Sequence, residues 1–131
     1  MKPFVQGAAG STPFTVRPGK GEYVILAGES RVRRPVVPVP TKKTAGVYVF
    51  RSISGHTVVG PTNVLQDSRT DRTVSEESKE RLLDHVRTLY PYTRDSVTLG
   101  VYSGLRPATQ HQDYVFNFDL ESNWITLGGI R

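Results

Sequence analysis

The chain has 131 residues, 37% of them hydrophobic and 22% charged, with a formal net charge of +5 and no cysteine. That length suffices for one domain with its own core, and the lack of cysteine excludes a disulfide framework, a thiolate metal site and a cysteine nucleophile. No run approaches the ~20 apolar residues of a membrane-spanning helix, and Met1-Lys2-Pro3-Phe4 leads into no apolar signal segment, so a cytoplasmic location is the expectation.

Residues 1–13 carry Gly7, Ala8, Ala9, Gly10 and Ser11 between Pro3 and Pro13, a composition that seldom packs, and read as a flexible lead-in. Phe14-Thr15-Val16-Arg17 opens a first strand that Pro18-Gly19 ends. Tyr23–Ala27 forms a second, whose unbroken apolar run predicts burial on both faces. In Val36-Val37-Pro38-Val39-Pro40 the two prolines remove ladder donors, which confines the segment to an edge or a crossing. Val47–Phe50 and Thr57–Val59 read as a hairpin turning around Ser54-Gly55-His56, and Gly60-Pro61-Thr62 breaks its second strand. Residues 63–72 are a polar loop. Thr73 and Glu76 stand at capping-box spacing, which predicts a helix over 74–90, stopped by Pro91. Leu82, Leu83, Val86, Leu89 and Tyr90 form its apolar stripe, and Glu77 pairs with Arg81 on another face. Three more strands follow: Val97–Tyr102, Tyr114–Phe118 and Trp124–Leu127. Tyr114, Phe116 and Phe118 share one face. The pattern has no βαβ alternation and predicts an α+β fold: a mainly antiparallel sheet of about six to seven short strands with one long helix packed on it.

Positive charge concentrates between Arg17 and Lys43, in Arg31, Arg33, Arg34, Lys42 and Lys43. Such a segment is a solvated loop, a surface facing an anionic ligand or another domain, or a nucleic-acid contact. It has no aromatic RNA-binding signature, so nucleic acid is not expected. His56, His85 and His111 are far apart and lack partners at metal-ligand spacing, so no metal is expected either. His85 is read as solvent-facing on the helix, His56 as a turn residue, and His111-Gln112-Asp113 as a local hydrogen-bonding turn. Ser54 and Ser103 have no nucleophile-elbow context. Gly7-Ala8-Ala9-Gly10 does not open a helix after a strand, and no G-x-G-x-x-G or Walker A run exists.

The most informative stretch is Gly104-Leu105-Arg106-Pro107-Ala108-Thr109. Pro107 fixes its own φ and pushes Arg106 out of the helical region, so the arginine stands on stiff, extended backbone. A guanidinium held this way suits a carboxylate or phosphate gripped by two parallel hydrogen bonds. A plain surface arginine at a strand end accounts for the same residues.

This stretch, followed by Gly128-Gly129-Ile130-Arg131, resembles the substrate-domain signature of the FAD-dependent oxidoreductases of the D-amino-acid oxidase superfamily. The glycerol-3-phosphate dehydrogenase-like members are the nearest in flavour, with glycine oxidase and 2-hydroxyglutarate dehydrogenase as cousins. The resemblance continues upstream in Pro18-Gly19-Lys20-Gly21-Glu22-Tyr23, Pro40-Thr41-Lys42-Lys43 and Val59-Gly60-Pro61-Thr62, in order, and covers about Arg17 to Arg131. It implies that residues 14–131 are the substrate-binding (cap) domain excised from a larger FAD-dependent enzyme, whose missing FAD-binding domain holds the cofactor. On this resemblance Arg106 pairs with the acidic group of a small anionic substrate and Arg131 is a second arginine beside the flavin; no residue here is assigned a catalytic role. The parent would oxidise an alcohol or amine by hydride transfer to flavin, and the isolated piece would be inactive and bind FAD weakly or not at all. The competing reading is a non-enzymatic α+β binding module that uses residues 31–43 on an acidic partner or nucleic acid.

Overall fold

The computed structural model describes residues 13–41, 46–111 and 113–130; most of the lead-in, Lys42, Lys43, Gln112 and Arg131 lie outside the described residues. Among the described residues seven strands and one α-helix make an α+β fold. Strands β1 (Val16–Leu26), β2 (Tyr48–Arg51), β3 (Thr57–Gly60) and β4 (Val64–Leu65) form one sheet in the order β2-β3-β1-β4, and β5 (Thr98–Thr109) joins it on β1. Strands β6 (Val115–Asp119) and β7 (Trp124–Gly128) make a separate antiparallel ribbon. The hairpin β2–β3 has the expected position, with Val49 opposite Val59 and Phe50 opposite Val58, and β3 then pairs with β1 through Val24 and Val59.

Two of the strands are longer than their sequence pattern implies. The expected break at Pro18-Gly19 does not occur: β1 runs through both residues. Proline's φ is compatible with a strand and it still offers a carbonyl, which here accepts from Gln66 N–H at 3.0 Å. Likewise β5 passes through Gly104 and Pro107, so Arg106 lies within a strand rather than at its end. Among the described residues strand β5 pairs with β1 alone, and on such an edge a missing N–H costs little. Val36 makes a single antiparallel bridge to Val49, in keeping with a crossing segment.

The described residues divide into two compact units. One holds Lys20–Val64 and Asp71–Gly104. Its core joins Val24, Leu26, Val32, Val49 and Val59 to Leu82, Leu83 and Val86 of helix α1 (Glu76–Leu89). Val24 and Leu26 are buried while Tyr23 and Ile25 are half-buried, so β1 is covered more fully on one face. Leu89, expected in the stripe, is 47% exposed at the last helical turn. The helix starts later than the capping-box reading implies. Ser75, not Thr73, is its N-cap and accepts from Ser78 N–H, because Thr73 is engaged by Asp71, whose carboxylate takes both its N–H and its hydroxyl. The expected Glu77–Arg81 pair is replaced by Glu76–Lys79 and Asp84–Arg87, both at i,i+3; exposed pairs are worth too little to dictate one geometry. His85 is only partly exposed, and its Nε2 is buried without a hydrogen-bond partner, contrary to the solvent-facing expectation. His56 is a turn residue whose Nδ1 lies 3.0 Å from Gly28 O.

Glu22, 1% exposed, ties β1 to the start of α1. Its carboxylate accepts from Ser75 N–H at 3.1 Å and from the Thr62 hydroxyl at 2.8 Å. Burial pushes this carboxyl up, but hydrogen bonds from Ser78, the Ser75 N–H and Thr62, with the Lys20 charge, outweigh it and hold the group below its ordinary value. Lys20, itself buried, reaches Asp71 at 3.2 Å and Thr73 O at 2.9 Å. Hydrogen bonds from Thr73 and then from Lys20 bring the Asp71 carboxyl down to about 2. These groups are a structural network that ties β1 to the start of α1.

The second unit contains the first part of β1 to Gly19, Leu65–Thr70 and the chain from Leu105 onward. In its β6–β7 ribbon Phe116 stands opposite Leu127 and Phe118 opposite Ile125, and all four are exposed. No helix of the described residues is long and apolar enough to cross a membrane.

Candidate functional site

The second unit forms an open pocket of ≈ 380 Å³. Its walls come from four parts of the sequence. Phe14, Val16 and Pro18 line it from the start of β1, Leu105, Arg106 and Pro107 from the end of β5, and Leu127, Gly128, Gly129 and Ile130 from β7 and its exit. Arg69, from the segment after β4, completes it. The local sequence explains the convergence. Thr15 N–H donates to Gln110 Oε1 at 2.9 Å and Gln66 N–H to Pro18 O at 3.0 Å, which holds β1 between its neighbours. A side chain at Gly128 would overlap the Phe14 ring, so glycine is what lets β7 close on Phe14. Gly129 follows with φ +75°, a left-handed conformation that turns the chain at the pocket rim.

Among the described residues two cations stand in this otherwise apolar lining, and no carboxylate lines it. Arg106 is half-buried and has no hydrogen-bond or ion-pair partner in the described structure. Arg69 is also half-buried; its Nη2 donates one long hydrogen bond, 3.4 Å, to Val16 O. The neighbouring Arg17, by contrast, is exposed and paired with Asp67 at 3.1 Å. Charges beside apolar walls are screened less than charges in open water, so an anion entering here would meet a stronger attraction than at the surface.

Of the two site residues expected from sequence, Arg106 lines this pocket and Arg131 lies outside the described residues. The segments Gly104–Thr109 and Gly128–Ile130, distant in sequence, meet at one cavity. Arg69 escaped the sequence reading because it sits in a polar loop with Asp67, Asp71 and Arg72, where nothing local separates a wall residue from a solvated one. In the basic segment Arg31 lies over the Tyr92 ring at 5.7 Å, and Arg33 and Arg34 are exposed. Among the described residues no group of three His, Asp or Glu side chains is placed to hold a metal.

The DAO family, FAD dependent oxidoreductase, matches residues 3–130, nearly the whole chain. The chain belongs to this FAD-dependent oxidoreductase family. Solved structures agree with its fold. L-α-glycerophosphate oxidase from Mycoplasma pneumoniae, with FAD bound, superposes with a TM-score of 0.73 at 22% identity, over 90% of this chain and 32% of that one. Glycine oxidase from Bacillus cereus ATCC 14579 does so with a TM-score of 0.64 at 23% identity, over 82% and 28%. Iminodiacetate oxidase from Chelativorans sp. BNC1 gives 0.65 at 18% identity, over 92% and 31%. The chain thus spans about a third of the length of these structures. No curated protein matches it.

FAD is the cofactor of the family, and its pyrophosphate needs a glycine turn that opens a helix N-terminus. The described residues do not fit that group. Their α-helix opens on Glu76 and Glu77, whose carboxylates repel a pyrophosphate, and its cap is closed by Ser75. What this FAD-dependent oxidoreductase segment offers instead is a small cavity with cationic walls.

Proposed function

We propose that residues 14–131 are the substrate-binding domain of an FAD-dependent oxidoreductase that oxidises a small anionic alcohol or amine by hydride transfer to flavin. The observation that carries this reading is Arg106, half-buried and without a partner in a pocket of ≈ 380 Å³ whose rim is Gly128-Gly129-Ile130. Its neighbour Pro107 stiffens the backbone that bears it. The fork of the guanidinium takes the substrate's acid group, and the apolar walls of Phe14, Leu127 and Ile130 exclude water from the rest of the molecule. The flavin of the whole protein supplies the redox chemistry; Arg106 supplies orientation. Glycine, glycerophosphate and iminodiacetate, for which the three similar structures are named, each carry an acid group, which supports an anion at this position. Arg131, next in sequence after the pocket rim, belongs to the same proposal as a second arginine near the flavin. The partner of the domain is the FAD-binding part of its own protein. A binding module built on residues 31–43 is not favoured, since the family match runs through that segment.

Steady-state kinetics of the full-length protein test the proposal. Arg106→Ala is expected to cost about 2–5 kcal/mol in substrate binding if the pair is desolvated. Arg106→Lys keeps the charge but loses the fork, and should also impair turnover. Both variants should retain bound flavin with an unchanged spectrum. A kcat/KM close to wild type in Arg106→Ala returns the residue to an ordinary strand arginine.

A further inference from the structure

We infer that Arg69 is a second anion-binding residue of the same pocket, and that the pair Arg69 and Arg106 selects a compact ligand with two negative charges over one with a single charge. The inference rests on the substrate-pocket reading above and names its specificity. Three observations carry it. Both arginines line one cavity of ≈ 380 Å³. Among the described residues the lining holds no Asp or Glu to neutralise either guanidinium. Of the two acids that flank Arg69 at two residues' distance, Asp67 pairs with Arg17 at 3.1 Å and Asp71 with Lys20 at 3.2 Å.

Arg69 does not have the partners of a structural arginine. A structural arginine that is half-buried usually spends its donors on carboxylates and several carbonyls. Arg69 makes one hydrogen bond, to Val16 O, at 3.4 Å, the long end of the range. That bond uses one N–H and leaves the remaining N–H groups for a ligand. Two half-desolvated cations without counter-charge repel each other, and a dianion relieves that repulsion where a monoanion only halves it. A dicarboxylate and a phosphate dianion share this chemistry.

The test is calorimetric titration of the full-length protein at mildly alkaline pH with malonate, inorganic phosphate and acetate. Wild type should bind at least one of the two dianions about tenfold or more tighter than acetate. Arg69→Gln should weaken the bound dianion by about tenfold while changing acetate less than about twofold. Preference for malonate or for phosphate in wild type tells the dicarboxylate from the phosphate source. Should Arg69→Gln fold poorly, the Arg69 guanidinium N–H resonances of the wild-type protein must shift on adding the preferred dianion but not acetate. Equal loss for acetate and dianion, no loss for either, or unmoved resonances overturns the role of Arg69. Failure of the substrate-pocket reading looks different: Arg106→Gln would then leave acetate binding intact.

Discussion

Replacing Glu22 should expose how strongly one buried carboxylate ties sheet to helix. Its side chain receives Ser75 N–H at 3.1 Å, the Thr62 hydroxyl at 2.8 Å and the Ser78 hydroxyl, while its own backbone N–H donates to Thr62 Oγ1 at 3.0 Å. Glu22→Ala removes the acceptor and strands three donors around a 1% exposed site. Hydrogen bonds to a charged group are each worth roughly 1.5–3 kcal/mol, and the three share one acceptor, so they do not add. Removing one member of a buried charged network costs about 3–5 kcal/mol, which is the expected loss. Glu22→Gln keeps the shape but turns half of the acceptor into a donor facing donors, for about 1–3 kcal/mol. The pH dependence has a defined sign. The folded carboxyl lies below its ordinary value, so its contribution is present above the unfolded pKa and is lost as pH falls through the folded one. Urea denaturation of wild type and Glu22→Gln at neutral pH and in the acid range measures both effects. The gap between them should narrow on acidification. A Glu22→Ala cost below about 1 kcal/mol, or a gap independent of pH, refutes the network as an energetic tie.

Leu82→Ala should cost about 2–5 kcal/mol by denaturation, because Leu82 is fully buried against the sheet; a cost under about 1 would mean that the helix face collapses into the void. Gly128→Ala places a methyl in the Phe14 ring and should cost about 1–3 kcal/mol; an undiminished unfolding midpoint would show that Phe14 yields freely. The 131-residue chain should purify without visible flavin absorption, since its helix start repels a pyrophosphate; stoichiometric FAD in the purified chain would contradict this.

The elements were legible in the chain because their signals are local. The β2–β3 hairpin announces itself by two β-branched runs around Ser54-Gly55-His56, and α1 by Leu82, Leu83 and Val86 at helical spacing before Pro91. Where the local signal misled, a non-local partner had decided. Pro18-Gly19 stops an isolated strand, yet β1 continues because Gln66 supplies a hydrogen bond to the Pro18 carbonyl. Thr73 has the spacing of a cap, yet Asp71, itself held by Lys20, takes its donors and leaves the cap to Ser75. Tyr114, Phe116 and Phe118 alternate like a core strand but are all exposed on β6 or its lead-in, since alternation shows that residues share a face and not what covers it.

The candidate site divides in the same way. Arg106 could be singled out from sequence because the proline beside it restricts its backbone, a covalent effect that needs no fold. The stretch Gly128-Gly129-Ile130 could be singled out as a motif. Tertiary structure brought these two segments to one cavity, seated Phe14 where only a glycine leaves room, and made Arg69 a wall residue. No sequence pattern encodes that last choice: Arg17 and Arg69 belong to similar polar surroundings, and only the three-dimensional position of Asp67 pairs the first and leaves the second facing the pocket.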